Sequence, residues 1–213
     1  MDQARQIAAH LLASQAVRLQ PDSPFTWASG MKSPIYCDNR VLLSFPKRRD
    51  AIVEAFVLAA GEFEGVDAIA GVATAGIPHG ALLADKLGLP FIYVRSKAKG
   101  HGRQNLIEGR LTAGGRYLVV EDLISTGGSA IKACHAVEEA GGLIAGVLAI
   151  FTYGLPKAER AFAEAGIRLR TLSHYNALIA EAHHQKTIQA HEAETLQAWR
   201  KDPQAWSAKF ELA

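Results

Sequence analysis

The stretch Tyr117-Leu118-Val119-Val120-Glu121-Asp122-Leu123-Ile124-Ser125-Thr126-Gly127-Gly128-Ser129 is a β-prone run that meets two carboxylates and then a short hydroxyl- and glycine-rich turn. Tyr117 to Val120 have the unbroken apolar character of a strand covered on both faces, as in a parallel sheet. Ile131 to Val137 resume at helical spacing, so the turn lies at the carboxyl end of a strand, where open α/β sheets bind their ligands. Two adjacent acids are costly to bury unpaired, which predicts that Glu121 and Asp122 sit at the mouth of the sheet, facing hydroxyl groups or a metal-bound ligand. The residues that follow bring closely spaced backbone N–H groups, two hydroxyls and two glycines to a helix start, a combination that favours a dianionic phosphate. An acidic pair beside a phosphate cradle suggests a ribose 5-phosphate. The plain alternative is a surface turn in which Asp and Ser merely cap a helix. Neither GxxxxGK[ST] nor GxGxxG follows any strand, which argues against nucleoside triphosphates and dinucleotides.

Outward from this stretch the pattern repeats. Val66 to Val72, Leu89 to Val94, Gly146 to Phe151 and Ile167 to Leu172 read as strands, with helices over Pro78 to Leu87 and after Ser129. Alternating β and α segments predict an α/β fold, a mostly parallel central sheet flanked by helices. Ile7, Leu11, Leu12 and Val17 predict an amphipathic first helix over Gln3 to Arg18, and Pro46 opens a second through Val53, Phe56 and Val57. Between them Pro21 to Asn39 holds three prolines, Phe25, Trp27 and Tyr36, as expected of short irregular strands in a small lid. From Tyr175 the chain reads as polar helices with Trp199, Trp206 and Phe210 as candidate anchors. This organisation is one domain over residues 1–213, with a hood at about 20–45, a core at about 46–175 and C-terminal helices at about 176–213.

The segment Arg95 to Arg110 is glycine-punctuated, cationic and almost free of large apolar groups before Leu106. A loop of this length inside a compact domain is usually functional, and this one is expected to move as a lid. Its Arg95, Lys97, Lys99 and His101 suit a pyrophosphate held at the sheet edge. The turn Ala73-Thr74-Ala75-Gly76 also joins a buried strand to a helix and offers backbone N–H groups to a second phosphate. Each segment alone also reads as an ordinary connection; three anion-friendly elements at one sheet edge make a set.

The bulk composition excludes other classes. Of 213 residues 49% are hydrophobic and 21% charged, as in a folded globular chain, and a formal charge of +2 gives no general affinity for nucleic acid. Cys37 and Cys134 lie far apart without metal-ligand spacing, which predicts a reducing compartment and no structural zinc. No apolar run approaches a membrane span and the first residues carry no signal core, so a cytoplasmic location is expected. His183, His184 and His191 read as exposed positions on polar helices, and Lys47-Arg48-Arg49 as a solvated face.

The run from Glu121 to Ser129 resembles the signature with which type I phosphoribosyltransferases bind phosphoribosyl pyrophosphate (PRPP). Two further segments narrow the resemblance to the orotate-using branch of that family: Phe25-Thr26-Trp27-Ala28-Ser29-Gly30-Met31-Lys32-Ser33-Pro34-Ile35-Tyr36-Cys37-Asp38-Asn39 resembles its hood, and Arg95 to Gly109 its catalytic loop. The resemblance runs from about Phe25 to Gly154. It implies a type I phosphoribosyltransferase fold and transfer of the 5-phosphoribosyl group from PRPP to orotate, in pyrimidine biosynthesis. By matching position it implies that Glu121, Asp122, Leu123, Ile124, Ser125, Thr126, Gly127, Gly128 and Ser129 bind PRPP, with Asp122 on the ribose hydroxyls and Thr126 to Ser129 on the 5-phosphate. Arg95, Lys97, Lys99 and His101, with Thr74 and Ala75, would meet the pyrophosphate, and Arg95, Lys99, His101 and Asp122 would be the catalytic set. Ser125 would touch orotate. Mg2+ is the implied cofactor, held mainly by PRPP and water with no direct protein ligand. The implied partner is a second copy of the chain, with sites shared across a homodimer interface, and neither nucleic acid nor membrane is involved.

This sequence departs from some family members, which carry lysines where Ala28, Ala75 and Ser96 stand here, and an orotate-contacting arginine with no match near Tyr153-Gly154-Leu155-Pro156-Lys157. Lys32 is the substitute expected for the orotate carboxylate. Two other readings share the cradle: a purine phosphoribosyltransferase, against which the Ser29-to-Pro34 segment argues, and a PRPP-sensing regulator, which would need a basic recognition helix that the first helix, with Arg5 and Arg18 as its cations, does not provide.

Overall fold

The computed structural model describes residues 2–27, 29–97 and 106–210. Helix α1 (Gln3–Ala13) leads to strand β1 (Val17–Leu19), and three short strands follow: β2 (Phe25–Thr26), β3 (Lys32–Ser33) and β4 (Ile35–Cys37). A 3-10 turn over Asn39–Ser44 connects them to α2 (Pro46–Ala60). The chain then alternates through β5 (Ala68–Val72), α3 (Gly76–Leu87), β6 (Phe91–Val94), β7 (Ile107–Glu108), β8 (Arg116–Ile124), α4 (Gly128–Glu139), β9 (Leu143–Thr152), α5 (Pro156–Ala165) and β10 (Leu169–His174). Helices α6 (Tyr175–His184), α7 (Ala190–Lys201) and α8 (Pro203–Ala208) complete it.

The main sheet has six strands in the order β10-β9-β8-β5-β6-β7. All its pairings are parallel except that of β7 with β6. The side chains of β8 alternate between two cores, as the period of a strand requires. Leu118 and Val120 pack with α1, α2, α3, α6 and α7, while Tyr117 and Val119 pack with α4 and α5. Helices therefore cover both faces, and the expected mostly parallel α/β sheet is present. The small strands form two separate antiparallel pairs, β1 with β4 and β2 with β3, which make up the hood.

Four local expectations are corrected. The first helix stops at Ala13 rather than reaching Arg18: the Ser14 hydroxyl donates to the His10 carbonyl at 2.8 Å, Gln15 takes a left-handed φ of 59°, and Val17 pairs with Cys37 in the hood. Strand β8 continues through both acids to Ile124 because β9 pairs with it as far as Thr152. The stretch after Val94 returns as β7, an edge strand that its two residues alone did not signal. Of the three C-terminal anchors, Trp199 is fully buried and Trp206 nearly so, whereas Phe210 is 39% exposed and rests on Trp206 at a ring separation of 4.7 Å. Among the described residues, no helix is long and apolar enough to cross a membrane, and Cys37 and Cys134 are free thiols.

Helix α3 lies against the backbone of the sheet because Gly76 has no side chain: a Cβ there would collide with the Val120 carbonyl oxygen. Placing a methyl group at this contact forces backbone movement. Gly76→Ala is expected to lower unfolding free energy by about 1–3 kcal/mol in urea titration, and a loss below about 0.5 kcal/mol would mean that the helix does not press on β8.

Candidate active site

The carboxyl ends of β5 and β8 lie side by side and each opens into a turn and a helix. At the end of β8 the two acids differ in exposure. Glu121 is buried and accepts the backbone N–H of Asp122 at 3.1 Å, while Asp122 is half-buried. Glu121 is thus more buried than a place at the mouth implies, although its side chain reaches the Asp122 carboxyl group and the Ser129 hydroxyl of the turn. Burial raises the pKa of Glu121, with the charge of Asp122 adding to it, and burial likewise raises that of Asp122. The pair is therefore poised to hold a proton between them in the absence of a compensating cation.

Beyond Ile124 the turn exposes what an anion needs. Gly127 adopts φ 83° and precedes α4, whose first turn has neither a side-chain cap nor an acidic residue. The backbone donors of that turn are thus left for a ligand. Thr126, Gly128 and Ser129 are exposed, Ser125 is half-buried and Ile124 is buried in the core. Gly127 is required twice over, by its positive φ and because a Cβ would lie 2.8 Å from the Phe162 ring of α5.

The turn runs between two cavities. On one side a cavity of about 530 Å³ is lined by Ala73, Arg95, Ser96, Gly128, Ser129 and Lys132, among others. Arg95 is one of the cations that line it, anchored by a 3.4 Å pair with Glu108 and by its backbone N–H to the Leu106 carbonyl at 2.8 Å. Thr74 is exposed and Ala75 half-buried in the adjoining turn. On the other side a cavity of about 480 Å³ is lined by Thr26, Trp27, Tyr36, Cys37, Leu123, Ser125 and Tyr153. Trp27 and Tyr153 stack there at 5.6 Å and 26°. Burial raises the pKa of both Tyr153 and Cys37, so each presents a neutral donor. An aromatic wall with a few neutral donors suits a planar heterocycle. Lys32 lies at the edge of this pocket and donates from Nζ to the Thr26 hydroxyl at 2.8 Å.

Sequence reasoning missed Asn39 and His79. Asn39 is fully buried, its Nδ2 donates to the Asp122 carbonyl at 2.8 Å, and its amide lies against the Cys37 thiol. It thereby ties the hood to the strand end. His79, one turn into α3, is fully buried, and among the described residues neither ring nitrogen finds a partner of good hydrogen-bond geometry, although the Asn39 backbone approaches it. Nothing in the local pattern marks either residue as buried, since both types are usually exposed or half-exposed.

The structure thus gathers Asp122, Ser125 to Ser129, Thr74, Ala75, Arg95 and Lys32 around one sheet edge. Lys97 is exposed. Lys99 and His101, together with Ala28, lie outside the described residues.

The phosphoribosyl transferase domain family matches residues 49–165 of this chain. The orotate phosphoribosyltransferase of Cutibacterium acnes is 55% identical over 205 residues, covering 96% of this chain and 95% of that protein. This chain belongs to the orotate phosphoribosyltransferases. That of Streptococcus agalactiae is 54% identical over 209 residues, covering 98% of this chain and 100% of its own length. Among solved structures, the orotate phosphoribosyltransferase of Aeropyrum pernix superposes with a TM-score of 0.74 at 28% identity, over 86% of this chain and 99% of that one. The likeness to other orotate phosphoribosyltransferases therefore extends well beyond the stretch from Phe25 to Gly154 that the motifs marked, and takes in the C-terminal helices.

Burial lowers the pKa of His79 to about 4 from the ordinary 6.5. Below pH 6.5 the unfolded chain binds a proton that the native state refuses, so this contribution to stability is present above 6.5 and is lost as pH falls through the native value. Between pH 7 and 5 the protein is expected to lose about 2 kcal/mol more unfolding free energy than His79→Leu does, measured by denaturant titration at each pH. Equal losses would place the ring in contact with water.

Proposed function

We infer that this chain transfers the 5-phosphoribosyl group of PRPP to orotate, forming orotidine 5′-phosphate and pyrophosphate for pyrimidine biosynthesis. The observation that carries the reading is the course of the β8 turn. It leads from an aromatic pocket at Leu123 and Ser125 to a cavity at Gly128 and Ser129 whose lining includes Arg95 and Lys132. A planar base at one end and a ribose phosphate along the turn fit that path.

In the reaction a ring nitrogen of orotate bonds to the anomeric carbon as that carbon's bond to the pyrophosphate oxygen breaks, through an oxocarbenium-like transition state. Orotate brings delocalised negative charge, so the protein needs no strong base. Its work is to align the two reactants and to stabilise the departing anion. Asp122 takes the ribose hydroxyls, and Thr126, Gly127, Gly128 and Ser129 hold the 5-phosphate at the α4 N-terminus. Arg95, Lys97, Lys99 and His101, with the backbone at Thr74 and Ala75, receive the pyrophosphate, while Ser125 and Lys32 orient orotate. Glu121, kept neutral by burial, supports the Asp122 backbone from behind.

The donor set suits magnesium held mostly by substrate. Among the described residues no group of three or more His, Cys, Asp or Glu side chains converges on one point, and Asp122 is the carboxylate at the mouth. When bound, the ion supplies charge neutralisation to the pyrophosphate. The same reading includes a homodimer whose loops complete each other's sites, and a cytoplasmic location, to which the two free cysteines are suited.

Incubation with PRPP and magnesium, followed by orotate, adenine, hypoxanthine and uracil in separate reactions, is expected to consume orotate alone. Consumption of a purine instead would overturn the assignment. Lys99→Ala and His101→Ala are expected to lower kcat by roughly 100-fold or more, with little change in orotate affinity; steady-state kinetics that leave kcat intact in both variants would remove the loop from the mechanism.

A further inference from the structure

The two stacked aromatic residues of the base pocket come from different parts of the molecule, Trp27 from the hood and Tyr153 from the exit of β9. Both are backed by a single residue of the C-terminal region. The fully buried Trp199 of α7 meets Trp27 edge-on at 5.8 Å and 79°, and Tyr153 edge-on at 5.6 Å and 83°. Its far side is fixed by Tyr175 at 5.6 Å and 31°, whose hydroxyl donates to the Leu196 carbonyl of the same helix at 3.0 Å.

Polar contacts repeat this division. Arg200, next to Trp199, donates to the Gly154 carbonyl at 3.4 Å and to the Asn176 side chain at 2.8 Å, which ties α7 to the core side of the pocket. On the hood side the Lys32 backbone N–H donates to the Ser207 hydroxyl of α8 at 2.8 Å. The α7–α8 unit therefore grips both halves of the pocket at once, while among the described residues no hydrogen bond, ion pair or ring contact joins it to the turn over 125–129.

We propose that α7 and α8 act as a clamp on the base pocket, with Trp199 as the positioning residue that fixes Trp27 and Tyr153 and so sets affinity for the acceptor base. The proposal rests on the reading that this pocket takes the base. Edge-to-face contacts are directional, so a ring held on two sides cannot drift without losing both. An aliphatic replacement fills space without giving that orientation. The consequence falls on the base alone, because the ribose-phosphate elements are held by β5, β8 and α4.

The test uses the full-length enzyme and whichever base the wild type turns over, so that a wild type ignoring orotate would sink the functional assignment and still leave the clamp testable. Trp199→Leu is expected to raise the KM for the base roughly tenfold, with kcat and the KM for PRPP within about twofold of wild type. Trp199→Phe, which keeps a ring, is expected to recover most of the loss. Ser207→Ala, a milder change at the other end of the clamp, should raise the base KM about two- to threefold while lowering Tm by only about a few degrees. Equal rises in both KM values, or an unchanged base KM in folded Trp199→Leu, would overturn the proposal. If Trp199→Leu does not fold, an unchanged base KM in Ser207→Ala overturns it and a selective rise supports it.

Discussion

The backbone pairing of β8 with β5 on one side and β9 on the other places everything that the site needs. Parallel strands end at the same edge of a sheet, so the turns after Val72, Ile124 and Thr152 emerge together although they lie far apart in sequence. The pairing is held close by residues without side chains. Gly76 brings α3 down onto Val120, and Gly127 lets the phosphate turn lie against Phe162. Additional bonds converge on the strand end itself: the Thr152 hydroxyl and the Tyr153 N–H both reach the Ile124 carbonyl, at 3.1 and 3.2 Å. A strand end fixed from several directions keeps the ligand-binding turn preorganised, which is where such sites gain most of their catalytic power.

The electrostatics of the edge follow from burial. Glu121 and Asp122 are pushed toward their neutral forms because the sheet around them is apolar, while the first N–H groups of α4 follow a few residues later and the Arg95 guanidinium lines the cavity beside them. In the proposed reading, a substrate carrying vicinal hydroxyls, a phosphate and a diphosphate would meet each of these in turn. The aromatic pocket lies apart from this charged region and offers stacking with neutral donors. One turn thus serves two chemically different halves of a substrate pair.

The hood depends on partners that arrive late in the chain. Its two-stranded pieces are too small to stand alone. Asn39 anchors its end to the Asp122 carbonyl, and α8 holds its middle at Lys32. Helix α1 is in turn locked to the C-terminal region by the pair between Arg5 and the buried Glu181 at 2.8 Å. Chain ends that look uninformative by motif pack against the residues of the aromatic pocket.

The alternation of apolar runs with helical spacing was enough to reveal the parallel α/β sheet, and the acidic pair followed by Thr126-Gly127-Gly128-Ser129 was enough to mark the turn that joins β8 to α4 between the two cavities, because strand period and helix-start chemistry are local properties. Pro46 marked the start of α2 for the same reason. Burial is not local. That Glu121 is buried while Asp122 keeps partial exposure depends on the neighbours that pack around the strand end. That Val17 leaves α1 depends on a partner strand eighteen residues later, at Ile35–Cys37. Asn39, His79 and Trp199 carried no pattern that distinguishes a surface residue from a buried one, and their roles exist only because the hood, α3 and α7 meet there. The sequence by itself determined the elements and the chemistry of the turn; tertiary packing decided which polar groups lose their water, since desolvation is a property of the neighbours that a residue acquires on folding.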